Sequence, residues 1–448
     1  MASRKTPKEP LVVIVGATGT GKSKLAVELA SKFNGEIINA DAIQMYRGLP
    51  IVTNKIPQDE RNGIAHHLLD QIGLEEQPWT VHEFVEESSK IIEQIRGRGK
   101  LPIVVGGTNY YVFSLLFPGS MIANEHSDAR VEGKASHGSL ADLAILDAPT
   151  EQIYAKLQEV DPDMARSWHP NDRRRIQRSL EIWLKSGKKA SEIYAEQKTA
   201  SEMSVSDQAS TTLRFDPVVF WLDAEDAVLK QRLNARVDTM VGQGLLDEVR
   251  AMRQFELRSK SEGVVIDKTK GIWVAIGYKE LEPWLNALES QGWESATHQQ
   301  LSGIESVKAS TRQYAKRQNR WVRIRLAEYL VGAHSLNKLF LLDCTNVSAW
   351  GELVASPATD LVGRFLFSEE LPANTSMSEL ASQTFAAIFS QGGKPNRQTH
   401  YCESCNKTLM NEQEWKKHLR SQSHKKVVEG ARKRAQRDLY KAKVAENG

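Results

Sequence analysis

The 448-residue chain is about three times the length of a typical domain, so two to four domains with ample buried core are expected and a small disulfide-stapled module is excluded. Hydrophobic residues make up 40%, charged residues 26% and aromatic residues 7%, an ordinary globular composition that excludes wholesale disorder and a fibrous repeat. The net charge of +3 is unevenly spread: residues 394–448 hold 14 Lys/Arg against 6 Asp/Glu, a local +8, which leaves −5 on residues 1–393.

No uncharged apolar run approaches the ~18 residues of a spanning helix, so no membrane partner is expected. The opening MASRKTPKEP leads into an apolar run too short for a secretory signal, and Glu9 and Pro10 interrupt the amphipathic helix that a mitochondrial address needs. Cys344, Cys402 and Cys405 cannot build a disulfide framework, which fits a reducing compartment. A cytoplasmic monomer is expected, with mitochondrial and nuclear pools left open.

Residues 11–15 read as a strand, 22–33 as a helix with Leu25, Leu29 and Phe33 at spacing four, and 36–39 as a second strand. A helix over 81–98 leads to the continuous apolar run 101–105, typical of a buried parallel strand. This alternation predicts a doubly wound α/β core, and the turn Gly16-Ala17-Thr18-Gly19-Thr20-Gly21-Lys22-Ser23 between its first strand and helix makes that core P-loop NTPase-like. Residues 141–189 then show helical spacing (Ile153, Leu157, Val160; Ile176, Leu180, Leu184) and no convincing strand, as expected of a helical insertion. Residues 198–212 are Ser/Thr-rich and read as a flexible connection. A core strand at 217–222, helices over 225–255 and 306–331, and a last strand at 339–342 follow. The implied plan is a catalytic core from 1–119 and 213–345, an insertion at 120–200, a connecting region at 346–393 and a basic finger and tail at 394–448.

Gly16-Ala17-Thr18-Gly19-Thr20-Gly21-Lys22-Ser23 matches the phosphate-loop pattern G-x-x-x-x-G-K-[ST] and lies between a strand and a helix, the context the motif needs. Its glycines let successive N–H groups point at an anion, Lys22 would neutralise phosphate and Ser23 would ligate Mg²⁺. The acidic Mg²⁺ ligand that kinases and motor ATPases place at a later strand end is missing, because the run 101–105 ends in Gly106-Gly107-Thr108. Two options remain: a small-molecule kinase, or an enzyme that uses the loop for a diphosphate leaving group.

Asp41 follows the second strand, at the carboxyl end where doubly wound sheets place ligands. A general base, a metal ligand and a helix cap are all compatible with that position. His66 and His67 are adjacent and so poorly disposed to share a metal, which favours a core or capping role. Seven cations and no anion occur between 308 and 325, with Arg312, Lys316 and Arg320 four residues apart and hence on one helix face; a solvated face is one reading, and the absence of anions favours contact with an RNA backbone. Cys402-x2-Cys405-x12-His418-x5-His424 has the ligand count and spacing of a tetrahedral structural Zn²⁺ site.

Taken in order, GATGTGKS from Gly16, NADAIQMY from Asn39, TNK from Thr53, HHLLD from His66, PIVVGGTNYY from Pro102, NDRRRIQRSLE from Asn171, RVDTMVGQGLLDEV from Arg236, AIGYKE from Ala275 and TRQYAKRQ from Thr311 resemble the tRNA dimethylallyltransferases, also called tRNA isopentenyltransferases. The likeness covers roughly residues 11–345, and the finger tail resembles the eukaryotic form. It implies that the phosphate loop holds the diphosphate of dimethylallyl diphosphate and that the prenyl group passes to N6 of the adenosine just 3′ of the anticodon, position 37 of the tRNA anticodon stem-loop. It further implies Asp41 as general base, Lys22, Arg236 and Ser23-bound Mg²⁺ as stabilisers of the leaving diphosphate, and Thr108 between base and donor. Asp41, Ala42, Ile43 and Gln44, and Arg174, Arg175, Ile176, Gln177 and Arg178, match the family's tRNA-contacting segments. Ala42 stands where a serine is common and Ala17 where a proline is common; neither change removes a charge. A nucleoside or small-metabolite kinase and a non-enzymatic RNA-binding adaptor are the alternatives, and the joint presence of Lys22, Ser23 and Asp41 argues against the adaptor.

Overall fold

The computed structural model describes residues 9–118, 143–195, 213–291, 296–390 and, apart from 406, 410, 411 and 431, residues 400–432. The Ser/Thr-rich stretch 198–212, the start of the insertion and the tail beyond 432 lie outside the described residues. The chain forms two compact units, one from residues 1–121 with 211–390, the other from 122–210 with 391–448.

In the first unit the chain runs through β1 (Pro10–Gly16), α1 (Lys22–Lys32), β2 (Gly35–Asn39), β3 (His66–His67), α2 (Val81–Gly97), β4 (Leu101–Val105), α3 (Asn109–Leu116), β5 (Asp216–Asp223) and β6 (Leu339–Asp343). All six strands are parallel, in the order β3-β2-β4-β1-β5-β6. The chain leaves β1 towards β2 on one side and later returns to fill β5 and β6 on the other. The direction of winding therefore reverses at β1, and a crevice opens outside its carboxyl end.

β1 explains why its sequence has no polar residue between Leu11 and Val15. Leu11, Val13 and Val15 enter one core with α2, α3 and the helices Tyr278–Gln291 and Thr297–Trp321. Val12 and Ile14 enter the opposite core with Leu25 and Leu29 of α1 and Leu229 and Leu233. Both faces are covered, and each such side chain contributes about 1.5–3 kcal/mol by leaving water.

All five strands expected from the sequence are present. β3 is an addition: two residues carry no periodicity, and it pairs through Ile37 with His66 and Ile38 with His67. His67 Nε2 lies 2.7 Å from Glu36 Oε2, and Arg98 and Lys100 reach the same carboxylate at 2.7 and 2.9 Å. Burial alone would raise the Glu36 pKa, but these partners pull it down to about 2. The histidine pair therefore belongs to the sheet edge, as a structural role requires.

The expected helix over 225–255 is two helices, Asp226–Gln243 and Leu245–Ser261, divided at Gly244 with φ +111°. The second expected helix starts earlier, at Thr297, and continues past Trp321 through a π turn over Val322–Leu326. Residues 346–390, about which the sequence says little, add Ser356–Leu366 and Glu379–Ser390; Leu361 and Phe365 join one core and Ala381 and Phe385 the other.

The second unit contains the insertion helices Thr150–Val160, Pro162–Ser167 and Arg173–Ser186, closed around Ile153, Leu157, Ala165, Ile176, Leu180 and Leu184. Asp161 organises it: Oδ1 accepts from Met164 N–H at 3.1 Å and Oδ2 from Ser191 N–H at 2.8 Å. Its finger consists of a β7 (His400–Cys402) and β8 (Lys407–Leu409) hairpin followed by the helix Glu412–Arg420. Among the described residues no helix is long and apolar enough to cross a membrane.

Gly16 joins the fold to the site. Its φ is +138°, and a Cβ there would stand 2.2 Å from the Leu222 carbonyl oxygen on β5. Gly16→Ala is expected to cost about 2–3 kcal/mol and lower the melting temperature of the full chain. An unchanged melting curve would show that β1 and β5 do not depend on this contact.

Candidate active site

The turn from β1 to α1 has the shape of an anion cradle. Gly21 caps α1 in the left-handed region, φ +87°, without a side-chain acceptor, and no acid occupies the first helical turn. The first N–H groups of α1 are therefore left for a ligand, with the positive end of the helix dipole behind them. Thr20 Oγ1 and Lys22 Nζ both donate to the Ala17 carbonyl at 2.8 Å, which braces the loop internally. Arg232 reaches it from the helix Asp226–Gln243, donating to Gly19 O at 3.4 Å and to Cys344 O at 3.0 Å.

Arg236 lies one turn further along that helix and has no carboxylate partner among the described residues. Burial lowers its pKa, and burial also pushes Lys22 down to about 8, with Asp41 opposing the shift and Arg236 adding to it. Two half-buried cations and one carboxylate thus share a single electrostatic neighbourhood. An arriving diphosphate would satisfy both cations.

The facing wall is built by the ends of β2 and β4. A Cβ on Gly106 would stand 2.2 Å from Ala40 backbone atoms, so this glycine lets the two strand ends close on each other. Thr108 N–H donates to Ala40 O at 3.1 Å, and Thr108 Oγ1 accepts from Ala42 N–H at 3.0 Å. Asn39 pins the same turn, donating to Leu68 O at 2.8 Å and accepting from Asp41 N–H at 3.1 Å. Asp41 Oδ1 accepts from Ile43 N–H at 3.2 Å. Burial raises the Asp41 pKa, while the Ile43 N–H and the Lys22 charge work against that rise. No helix follows Asp41 directly, so the helix-cap reading is not realised: Oδ1 closes a local turn instead, and Oδ2 lies at the Gly107 side, where a Cβ would come within 2.9 Å of it.

Gln318, on the helix Thr297–Trp321, has a role that the sequence leaves unassigned. It is 4% exposed. Its Oε1 accepts from Thr18 N–H of the phosphate loop at 2.9 Å, and its Nε2 donates to Gly107 O at 3.0 Å. Asn109 donates to its backbone carbonyl at 3.1 Å, and Tyr314 from the same helix donates to Gly107 O at 3.3 Å. One buried amide therefore ties the phosphate cradle to the strand end opposite. Only its place within the block TRQYAKRQ marks it in the sequence.

The turn after Asp41 leaves Ala42, Ile43 and Gln44 half-buried, and Gln44 Nε2 donates to Asn54 O at 2.9 Å. Lys55 Nζ closes the loop beyond, bonding Gly48 O and Asp70 at 2.5 Å each.

The basic segments separate into structural and exposed cations. Lys308 is paired with Asp238 of another helix at 2.8 Å and with Glu305 of its own at 2.9 Å, and Arg312 donates to the neutral amide oxygen of Asn234. Lys316 and Arg320 are exposed on the same helix. In the insertion Ile176 is fully buried in the apolar cluster, which corrects its expected place on a tRNA-contacting surface: the helix turns that face inward. Gln177 is half-buried, whereas Arg174, Arg175 and Arg178 point outward; Arg175 lies 5.0 Å over the Trp168 ring and Arg178 is 2.9 Å from Glu181.

In the finger, ligand atoms of Cys402, Cys405, His418 and His424 all lie within 4.8 Å of one another. His424 Nδ1 is 3.6 Å from Cys402 Sγ and 3.4 Å from Cys405 Sγ. Zinc bonds of about 2.3 Å to sulfur and 2.0 Å to nitrogen at a tetrahedral angle span roughly 3.5 Å, so the four residues fit Zn²⁺.

The fold and site define a phosphate-loop α/β protein whose anion cradle faces a desolvated carboxylate. The IPP transferase family model matches residues 44–325, and a model described as a zinc-finger double-stranded RNA-binding domain matches 399–425. The chain belongs to the IPP transferase family. It is 34% identical to the tRNA dimethylallyltransferase of Schizosaccharomyces pombe over 96% of this chain and 98% of that protein. Against the tRNA dimethylallyltransferase of Homo sapiens it is 34% identical, over 93% of this chain and 85% of that protein. A crystal structure of a eukaryotic dimethylallyltransferase acting on tRNA superposes with a TM-score of 0.76 at 34% identity, covering 97% of this chain and all of that one.

Cys405→Ser is expected to lower bound zinc from about one equivalent to near zero, measured by elemental analysis of the purified full chain. Retention of stoichiometric zinc would contradict the four-ligand assignment.

Proposed function

We propose that this protein transfers a dimethylallyl group from dimethylallyl diphosphate to N6 of adenosine 37, beside the anticodon of tRNA, releasing diphosphate. The observation that carries this reading is the phosphate loop after β1, with Lys22, held by Gln318 opposite the Asp41 and Gly107 turns after β2 and β4, with Arg236 of the helix Asp226–Gln243 acting on Lys22. A leaving diphosphate develops negative charge where the loop N–H groups, Lys22 and Arg236 converge. Asp41, across the crevice, would accept the proton of the exocyclic amine as the carbon–nitrogen bond forms. Its raised pKa makes it a stronger base than an ordinary carboxylate. Thr108 would hold the target base near Asp41, and extrusion of that base from its stack is what exposes the nitrogen.

Ser23 fits a Mg²⁺ that enters with the substrate: it is half-buried in the first turn of α1, and a hydroxyl is a hard oxygen donor. When bound, the ion would neutralise charge on the diphosphate. The tRNA contacts are assigned to Asp41, Ala42, Ile43 and Gln44 beside the site, to Arg174, Arg175, Gln177 and Arg178 on the insertion, and to Arg312, Lys316 and Arg320. The finger would add affinity for the same RNA. A kinase reading is less well supported, because β4 is followed by Gly106-Gly107-Thr108 where an acidic metal ligand would be needed.

Incubation of the full chain with unmodified tRNA, Mg²⁺ and labelled dimethylallyl diphosphate, followed by nucleoside mass analysis, is expected to yield prenylated adenosine. ATP turnover without prenyl transfer would overturn the reading in favour of the kinase. Asp41→Asn is expected to lower turnover by about 10²–10⁴-fold with donor affinity largely kept. Two pH limbs follow. Asp41 acts as a base only when ionised, so turnover falls on acidification through its raised pKa, above the ordinary carboxylate range. Lys22 is cationic below about 8, so the KM for the donor rises as pH passes upward through that value.

A further inference from the structure

The segment after β6 reaches back to the phosphate loop through one side chain. Trp350 precedes the π turn Gly351–Ala355 and packs beside α1 against the core. A Cβ on Gly21 would meet the indole ring at 2.7 Å, so the ring lies flush against the last glycine of the loop. The indole N–H donates to both oxygens of Glu28 at 3.1 and 3.0 Å, and Lys24 Nζ lies 4.7 Å from the ring centroid. Gly21, Lys24 and Glu28 sit at helical spacing along one edge of the first two turns of α1. Gly21 is left-handed and caps the helix without a side chain, so the side-chain contact at this end of the edge comes from Trp350. Trp350 lies beyond the residues matched by the family model.

We propose that Trp350 is a positioning residue for the donor: it clamps the turn from Gly21 to Lys24 so that the loop N–H groups and Lys22 converge on a diphosphate before it binds. Cation–π attraction to Lys24, ring contact at Gly21 and the bond to Glu28 act together on three consecutive points of one helix edge. The clamp sets affinity for the donor, leaving tRNA affinity untouched. This inference rests on the prenyl-transfer reading for its kinetic consequence, but not for its effect on diphosphate binding.

The test uses the full chain and the variants Trp350→Ala, Trp350→Phe and Glu28→Ala. Binding of inorganic diphosphate with Mg²⁺ is followed by calorimetry, and KM values for dimethylallyl diphosphate and tRNA are measured separately. Trp350→Ala is expected to weaken diphosphate binding and raise the donor KM by about tenfold, with the tRNA KM unchanged. Trp350→Phe, which keeps a ring on Gly21 and Lys24, is expected to recover most of the loss, and Glu28→Ala to show a smaller loss in the same parameters. Wild-type diphosphate binding in Trp350→Ala and Glu28→Ala overturns the proposal, and so does an equal rise in both KM values. If Trp350→Ala fails to fold, Glu28→Ala decides by the same criteria, wild-type diphosphate binding in it overturning the proposal. A wild-type protein that binds diphosphate but transfers no prenyl group defeats the transfer reading, while the calorimetric comparison still decides the role of Trp350.

Discussion

A buried amide that must satisfy two distant backbone groups at once is the constraint on which the rest of this site depends. Gln318 accepts from the phosphate loop and donates to the end of β4, and it is almost wholly removed from water. Losing either partner would strand a buried polar group, at a cost of about 1–3 kcal/mol. The loop after β1 and the turn after β4 are therefore held at one separation by the helix Thr297–Trp321, which spans both. Gly107 serves the same arrangement, since a Cβ there would stand 2.5 Å from Gln318 Nε2. The neighbouring Asn319 bonds Asp223 at the end of β5, so the helix is fastened to the sheet on both sides of β1.

That rigid frame gives the charges their meaning. Burial and the Arg236 charge both disfavour the Lys22 cation, and Asp41 favours it; an anionic ligand would favour it further. The site therefore favours a multiply charged anion. Asp41 is pulled two ways: burial favours its protonated form, and the Lys22 charge favours the carboxylate. A carboxylate kept partly out of water beside a cation is suited to accept a proton at the moment a diphosphate leaves with the opposite charge. The winding order of the sheet puts these groups at one crevice, because the chain changes direction at β1.

Much of this was legible in the sequence because it is written in local pattern. Five strands showed as uninterrupted apolar runs, and the loop showed as a glycine spacing that has few alternatives between a strand and a helix. Asp41 and Thr108 could be placed at strand ends for the same reason. What stayed hidden was long-range. Gln318 is separated from Thr18 by 300 positions, and nothing in its neighbours distinguishes a buried clamp from a solvated amide. β3 is too short to have a period, and the break at Gly244 depends on one residue in the left-handed region. Charge counting misled where partners came from other elements, as with Lys308 and Asp238. Ile176 sits among arginines in sequence yet belongs to the insertion core, because helical periodicity outranks the composition of its neighbours.

The central claim is that a fixed separation between the donor cradle and the Asp41 turn makes transfer possible. Its most direct test is the single-turnover rate of prenyl transfer by Gln318→Met with tRNA and dimethylallyl diphosphate both saturating. Methionine fills a similar volume but bonds neither Thr18 nor Gly107. The expected result is a rate lowered by about 10²-fold with both substrates still bound, the signature of misplacement by a fraction of an ångström to one ångström. A wild-type rate at saturation would contradict the account.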